Sequence, residues 1–196
     1  MRRIRALLGE TGLDSLQQQV LERLVHSSGD PELAAMLQFS AGACEQGVKA
    51  LHDGALLLTD TAMAAAAVAP MARRTLGCSV HCILEWAPAT APLGSTRSAV
   101  GMAEAWRTLS SHVPPPLVLV GSAPTALECL LDLVSDGDVC PSLIIGMPVG
   151  YVCVAKSKGR LARSGLPQIR LDGSRGGAGL VGAAANALLR IADGNQ

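Results

Sequence analysis

The segment "PLVLVGSAPTALECLLDLV" (residues 116–134) contains the clearest strand-to-helix transition in the chain. Its first part, 116–121, is almost purely apolar, which is typical of a strand buried on both faces of a parallel sheet. Pro124 suits the first turn of a helix, and the apolar residues that follow recur at steps of three and four. The segment therefore predicts a buried strand followed by a helix over 123–134.

The same alternation of apolar runs and helical stretches continues on both sides of this segment. Further strands are predicted at 55–59, 79–84, 166–171 and within 142–150, and further helices at 60–72, 96–111 and 176–191. Such alternation predicts a parallel sheet with right-handed crossovers. We expect the first 50 residues or so to be helical, and residues 1–196 to form one α/β domain. Its core is a three-layer, doubly wound sheet of about five parallel strands.

Composition excludes several classes of function. Charged residues make up 16% of the chain and the formal net charge is zero, so no basic surface for nucleic acid is indicated. Aromatic residues make up 2%, which leaves no platform on which bases could stack. No apolar run approaches the roughly 18 residues of a membrane span, and no secretory signal is evident. The six scattered cysteines are most simply reduced thiols of a cytoplasmic protein.

One cysteine cluster suggests a metal site, "CSVHC" at 78–82. On a strand, Cys78 and Cys82 would share one face while His81 would point to the other. The two cysteines would then lie about 13 Å apart at about 3.3 Å per residue. Zinc holds each sulfur at about 2.3 Å, so one ion cannot bridge them, and we predict no metal or other cofactor.

Small residues gather where the predicted strands end, which is the edge at which open α/β sheets bind ligands. None of these stretches has the spacing of a nucleotide-phosphate loop. A histidine, His26, stands where the N-terminal helical pattern of Leu13, Leu16, Val20 and Leu24 stops. Its position alone fits two roles: a charge that suits the negative end of a helix, or a proton donor aimed into a cleft.

Six short stretches, in order along the chain, resemble the precorrin-8X methylmutase family. They are "HSSGD" (26–30), "TDTAM" (59–63), "STRSA" (95–99), "GSAPTA" (121–126), "GMPVGYV" (146–152) and "GSRGGAG" (173–179). The resemblance implies a flavodoxin-like fold, a homodimer and no external cofactor. It also implies that a methyl group moves from carbon 11 to carbon 12 of precorrin-8X to give hydrogenobyrinate, or of cobalt-precorrin-8 to give cobyrinate. The histidine that matches His26 is the family's proposed catalytic acid.

The substrate implied by this resemblance is a large, flat, apolar ring with many carboxylates. Arginine offers a planar fork to carboxylates, so Arg97 is the first candidate for binding. Helix starts near Ala123 and Gly176 would offer free backbone N–H groups. The remaining candidates are hydroxyl, apolar and basic residues of the same stretches: Thr96, Ser98, Ser122, Thr125, Met147 and Arg175.

The chain differs from the family pattern at three places. It opens at "MRRIRALL", where the family usually has a longer segment, Ser122 replaces the usual asparagine, and Lys156 replaces the usual glutamate. These differences leave a second interpretation open, a non-catalytic protein that binds or carries a tetrapyrrole in the same pocket.

Overall fold

The computed structural model describes residues 1–194 and contains one sheet of six strands. The strands are β1 (Leu37–Phe39), β2 (Leu57–Thr59), β3 (Val80–Cys82), β4 (Leu117–Val120), β5 (Leu143–Gly146) and β6 (Gln168–Leu171). The helices are α1 (Arg2–Leu8), α2 (Ser15–Ser28), α3 (Ala43–His52), α4 (Ala62–Arg74), α5 (Arg97–Leu109), α6 (Pro124–Ser135), α7 (Val154–Arg163) and α8 (Ala178–Ala192). Two 3-10 helices cover Pro31–Ala35 and Ile83–Glu85. Within residues 1–194, no helix combines the length and the apolar character needed to cross a membrane.

The strands lie in the order β1-β6-β5-β4-β2-β3, and all neighbours from β6 to β3 are parallel. The predicted α/β class and the five parallel strands are confirmed, although each strand is shorter than its apolar run. A sixth strand was not predicted: β1 lies in the N-terminal region that was expected to be helical, and it pairs antiparallel with β6. β1 has only three residues, two of them partly exposed, so no apolar run marks it in the sequence.

Side chains that alternate along β4 divide the core between the two faces of the sheet. Leu117 and Leu119 pack with α2, α3, α4 and α8, whereas Val118 and Val120 pack with α5 and α6. All four are fully buried, and burying such a side chain contributes about 1.5–3 kcal/mol. The apolar run at 116–121 is therefore explained by a strand that is covered by helices on both faces.

The order of the strands creates a crevice between β2 and β4. From β2 the chain passes through α4 to β3 on one side, and from β4 it passes through α6 to β5 on the other. α4 and α6 cover opposite faces of the sheet, so the two connections diverge above the carboxyl ends of these neighbouring strands. Such a switch point is where doubly wound proteins bind their ligands.

α2 carries His26 in its last turn. The helix begins with a capping box in which the Asp14 side chain accepts from the N–H groups of Leu16 and Gln17, and the Gln17 side chain accepts from the Asp14 N–H. It runs two residues beyond His26, to Ser28, and ends at Gly29, whose φ of 69° is left-handed and whose N–H reaches the Val25 carbonyl. The predicted end of the helix is thus nearly right, and His26 lies on its exposed side.

Candidate active site

The side chain of Asp60 joins the two loops that border the crevice. Asp60 directly follows β2, and its Oδ2 accepts hydrogen bonds from three successive N–H groups after β4. These distances are 3.0 Å from Gly121, 2.6 Å from Ser122 and 2.7 Å from Ala123. A single carboxylate oxygen therefore holds the whole start of the β4–α6 connection.

Asp60 is fully buried, and burial raises its pKa, while the three backbone hydrogen bonds act in the opposite direction. Its Oδ1 has no hydrogen-bond partner in the part of the chain that is described. The N–H groups of Ser122 and Ala123 are consequently not free. The prediction of free N–H groups at this helix start is wrong for Ser122 and Ala123, because Asp60 already accepts from both.

The β3–α5 connection meets the first turn of α6 through two hydroxyls. Thr96 caps α5 by accepting from the Ala99 N–H, and its Oγ1 lies 2.8 Å from Oγ1 of Thr125. Arg97 is exposed, and its Nε donates to the Pro88 carbonyl over 2.7 Å. Thr96, Thr125 and Arg97 thus share one region, with the half-buried Ser98 next to Arg97 in the chain.

Backbone hydrogen bonds join the loops after β4, β5 and β6. Val149 donates to the Gly121 carbonyl over 3.1 Å, and Gly177 donates to the Met147 carbonyl over 2.9 Å. A Cβ on Gly176 would lie 1.9 Å from that same Met147 carbonyl oxygen, so only glycine fits there. α8 begins at Ala178 rather than at Gly176, and the Met147 side chain is fully buried in the core.

Arg175 connects the loop after β6 to the segment that follows α2. Its Nη1 lies 2.8 Å from Asp30 and its Nη2 lies 2.7 Å from Glu32. Asp30 also caps the 3-10 helix by accepting from the Glu32 N–H. The carboxylates next to Arg175 are thus supplied by the protein itself, four and six residues after His26.

All six stretches quoted above meet at the carboxyl edge of the sheet through this series of contacts. Asp30 reaches Arg175, Gly177 reaches Met147, Val149 reaches Gly121, Ser122 reaches Asp60, and Thr96 reaches Thr125. The edge from β6 to β3 covers four strand spacings, which is about 19 Å at about 4.8 Å each. This width suits a large, flat ligand.

Apolar side chains are exposed along the same edge. Among residues 1–194, nine large hydrophobic side chains are exposed, and five of them lie in the first turn of α4 or in the connections from β3 to α5 and from β5 to α7. The five are Met63, Leu93, Val149, Tyr151 and Val152. Exposed apolar groups gathered on one edge are typical of a binding surface.

Two buried charged residues near the carboxyl edge, Asp60 and Lys158, were not predicted from the sequence to belong to the site. Asp60 lies in "TDTAM", and its signal was an acidic residue directly after a buried strand. Lys158 is buried in α7. The sequence indicated this by its spacing, since it lies four residues after Val154 and three before Leu161, both of which are buried on the same face. Its Nζ donates to the carbonyls of Gly173 and Arg175, at 2.8 and 2.7 Å. Burial lowers the Lys158 pKa to about 8.

No metal centre is evident in residues 1–194, where no three histidine, cysteine or acidic side chains form a group suited to an ion. Cys82 is buried and Cys78 half-buried, and burial raises the pKa of both thiols.

A cavity of about 740 Å³ lies between α1, α2 and α8. None of the residues that line it belongs to the six stretches, and Glu22 within it is already paired with Arg5.

The fold and the contacts along the sheet edge define a doubly wound α/β protein whose candidate site lies at the carboxyl edge of its sheet. Comparison with known proteins gives the family. The family model described as "Precorrin-8X methylmutase" matches residues 1–191. The chain therefore belongs to the precorrin-8X methylmutase family, and it is an isomerase of cobalamin biosynthesis.

Individual relatives agree with this assignment. The precorrin-8X methylmutase of Pseudomonas aeruginosa is 39% identical over 194 residues, which cover 94% of this chain and 89% of that protein. The cobalt-precorrin-8 methylmutase of Methanothermobacter thermautotrophicus is 31% identical over 190 residues, covering 96% and 88%. The solved precorrin-8x methyl mutase of Thermus thermophilus is 36% identical, with a TM-score of 0.87 and coverage of 100% and 96%.

Proposed function

We propose that this protein moves a methyl group from carbon 11 to carbon 12 of precorrin-8X to give hydrogenobyrinate, or converts cobalt-precorrin-8 to cobyrinate in the same way. The observation that carries the proposal is the meeting of all six family-like stretches at one edge of the sheet, with His26 exposed beside them. The relatives named above act on both forms of the substrate according to their names, so both remain candidates.

His26 is the proposed general acid. A methyl shift within a conjugated ring needs no covalent partner, but a proton placed on the ring system moves electrons toward the rearranged product. Histidine titrates near neutral pH, so it is able to donate such a proton and recover it. Its place in the exposed last turn of α2, followed by the turn at Gly29, supports contact with a ligand at this edge.

Arg97 is the proposed anchor for a substrate carboxylate. Of its donors, only the Nε–H has a protein acceptor among the residues described, which leaves both NH₂ groups for a ligand. The hydroxyls of Thr96, Ser98, Ser122 and Thr125 are proposed to donate to other carboxylates. The exposed apolar side chains at the carboxyl edge would cover the ring, while the buried Met147 supports the loop behind it.

The test is an absorption spectrum of the purified protein mixed with precorrin-8X. Conversion to the product spectrum is expected for the wild-type protein and for His52→Ala, a matched control because His52 is an exposed histidine at the end of another helix, α3. Little conversion is expected for His26→Ala. A spectrum of bound but unchanged substrate with wild-type protein would contradict the proposal and favour a tetrapyrrole carrier.

We further propose that the protein is a cytoplasmic homodimer that needs no external cofactor. The resemblance of the six stretches to the family supports this arrangement. Light scattering coupled to size-exclusion chromatography tests the dimer, and a monomer at micromolar concentration that retains full activity would contradict it. Activity that is lost on chelation from protein with stoichiometric metal would contradict the absence of a cofactor.

A further inference from the structure

Lys158 is a buried lysine that has no part in the proposed chemistry and that binds the loop after β6. Its side chain is 2% exposed, and both of its protein acceptors are carbonyls of the loop after β6, those of Gly173 and Arg175. No carboxylate among residues 1–194 lies within ion-pair distance of its Nζ; the charge that acts on it is that of Asp172, which is itself paired with Arg170. A buried ammonium without a carboxylate is unfavourable, so its donors are strongly directed to these two carbonyls.

The loop held by Lys158 in turn holds the segment after α2. Arg175 projects from this loop to Asp30 and Glu32, and Asp30 uses its other oxygen to cap the 3-10 helix. These carboxylates belong to the same continuous segment as His26 and Gly29. The series of bonds thus runs from the interior of α7 to the segment that begins at His26.

We propose that Lys158 and Arg175 are positioning residues, which hold the His26 segment at the carboxyl edge so that its imidazole faces the substrate. The inference rests on the proposed role of His26. It gives Arg175 a different role from the contact with a substrate carboxylate that the sequence suggested. Asp30 and Glu32 already lie beside its guanidinium, whereas Arg97 has both NH₂ groups available.

The two roles of Arg175 are separated by an exchange of charges. In Arg175→Glu the link is replaced by repulsion between carboxylates, and we expect kcat to fall by about tenfold or more, since small misplacements of a catalytic group are costly. In the double variant Arg175→Glu/Glu32→Arg the pair between positions 175 and 32 is restored with reversed polarity, while Asp30 remains a carboxylate beside position 175. We therefore expect kcat to recover a large part, but not all, of the loss. Glu32 is exposed and Arg175 half-exposed, so these variants are expected to fold.

Lys158→Met tests the interior end of the link, and Lys156→Met is its matched control on the exposed side of the same helix. For Lys158→Met we expect a lower kcat with little change in KM, and for Lys156→Met no change.

Amide hydrogen exchange of residues 29–36, measured by mass spectrometry, is expected to accelerate in Lys158→Met and Arg175→Glu and to slow again in the charge-exchanged variant.

Three outcomes would overturn the inference. In the first, the charge-exchanged variant stays as inactive as Arg175→Glu and has a raised KM, which would assign Arg175 to a substrate carboxylate. In the second, Arg175→Glu has wild-type kcat. In the third, exchange of residues 29–36 is the same in every variant. If wild-type protein does not convert precorrin-8X, the proposed function fails, and the exchange measurement still decides whether the link holds the segment.

Discussion

The Oδ2 atom of Asp60 lies 2.6 Å from the backbone nitrogen of Ser122, across the crevice between β2 and β4. The same oxygen also accepts from the two N–H groups on either side of Ser122. Because these strands are neighbours whose connections diverge, the carboxylate joins the two halves of the doubly wound sheet at the point where they separate. The candidate site is built on this junction.

Asp60→Ala is expected to lower the free energy of unfolding by about 3 kcal/mol, because three partly or fully buried N–H groups lose their acceptor. Asp60→Asn should lower the free energy of unfolding by less, since its amide oxygen is able to accept the same hydrogen bonds as Oδ2. Urea denaturation measures both. Asp53→Ala is the control, because Asp53 is half-exposed and forms a surface ion pair. Equal stability of Asp60→Ala and Asp53→Ala would show that the junction is not needed for the fold.

Gly176→Ala is expected to destabilise the protein by about 1–3 kcal/mol, the usual range for overpacking, because its Cβ would lie 1.9 Å from the Met147 carbonyl oxygen. Gly179→Ala, three residues later in the first turn of α8, has no atom within 4 Å of the new Cβ and should be neutral or slightly stabilising. Thermal unfolding of the two variants provides the comparison. A Gly176→Ala protein as stable as Gly179→Ala would mean that the loops after β5 and β6 separate easily.

The strands and helices that are determined by the order of apolar and polar residues within a short segment could be predicted from the sequence. β4 and α6 follow from an apolar run, a proline at a first turn and a helical period, all within 116–134. β1 was not predictable in the same way, because its three residues become a strand only by pairing with β6, more than a hundred residues later.

The candidate site shows the same division between local and distant information. Short stretches with small residues at strand ends were predicted to lie at one edge of the sheet, and the contacts among them show that they do. The partners of individual groups did not follow from them. Ala123 was expected to have a free N–H because a helix start is locally unsatisfied, but its acceptor comes from Asp60 in another connection. Arg175 was likewise expected to face a ligand, and it contacts Asp30 and Glu32.

The stability difference between wild-type protein and Lys158→Met is expected to depend on pH. Lys158 has a pKa of about 8 in the folded protein, against the ordinary value of 10.5. Between these values the unfolded chain binds a proton that the folded protein has released, so the free energy of unfolding rises with pH. Relative to Lys158→Met, wild-type protein should gain about 2 kcal/mol between pH 7.5 and pH 9.5. Denaturant unfolding at both pH values tests this, and a constant difference would contradict the lowered pKa.

Arg97→Ala is expected to weaken binding of the corrin product by about 1.5–3 kcal/mol, the value of a hydrogen bond to a charged group. Arg97→Lys should recover part of the loss, because an ammonium keeps the charge but lacks the planar fork. Arg107→Ala is the control, since Arg107 is exposed on the same helix and pairs with Glu104. Titration of product into each variant gives the affinities, and wild-type affinity in both Arg97 variants would remove this residue from the site.

His26→Ala is expected to reduce kcat by roughly 10²–10⁴, the usual contribution of general acid catalysis, while leaving product affinity close to that of wild-type protein. Affinity is expected to survive because, in the proposed complex, Arg97 and the neighbouring hydroxyls would hold the substrate carboxylates. The fold should also survive, since His26 is exposed and α2 is fixed by its buried residues Leu24 and Val25 and by the turn at Gly29. Single-turnover kinetics with precorrin-8X, with His52→Ala run in parallel, separates lost chemistry from lost binding. A folded His26→Ala protein that turns over at the wild-type rate would leave this histidine only the role of a charge at the end of its helix.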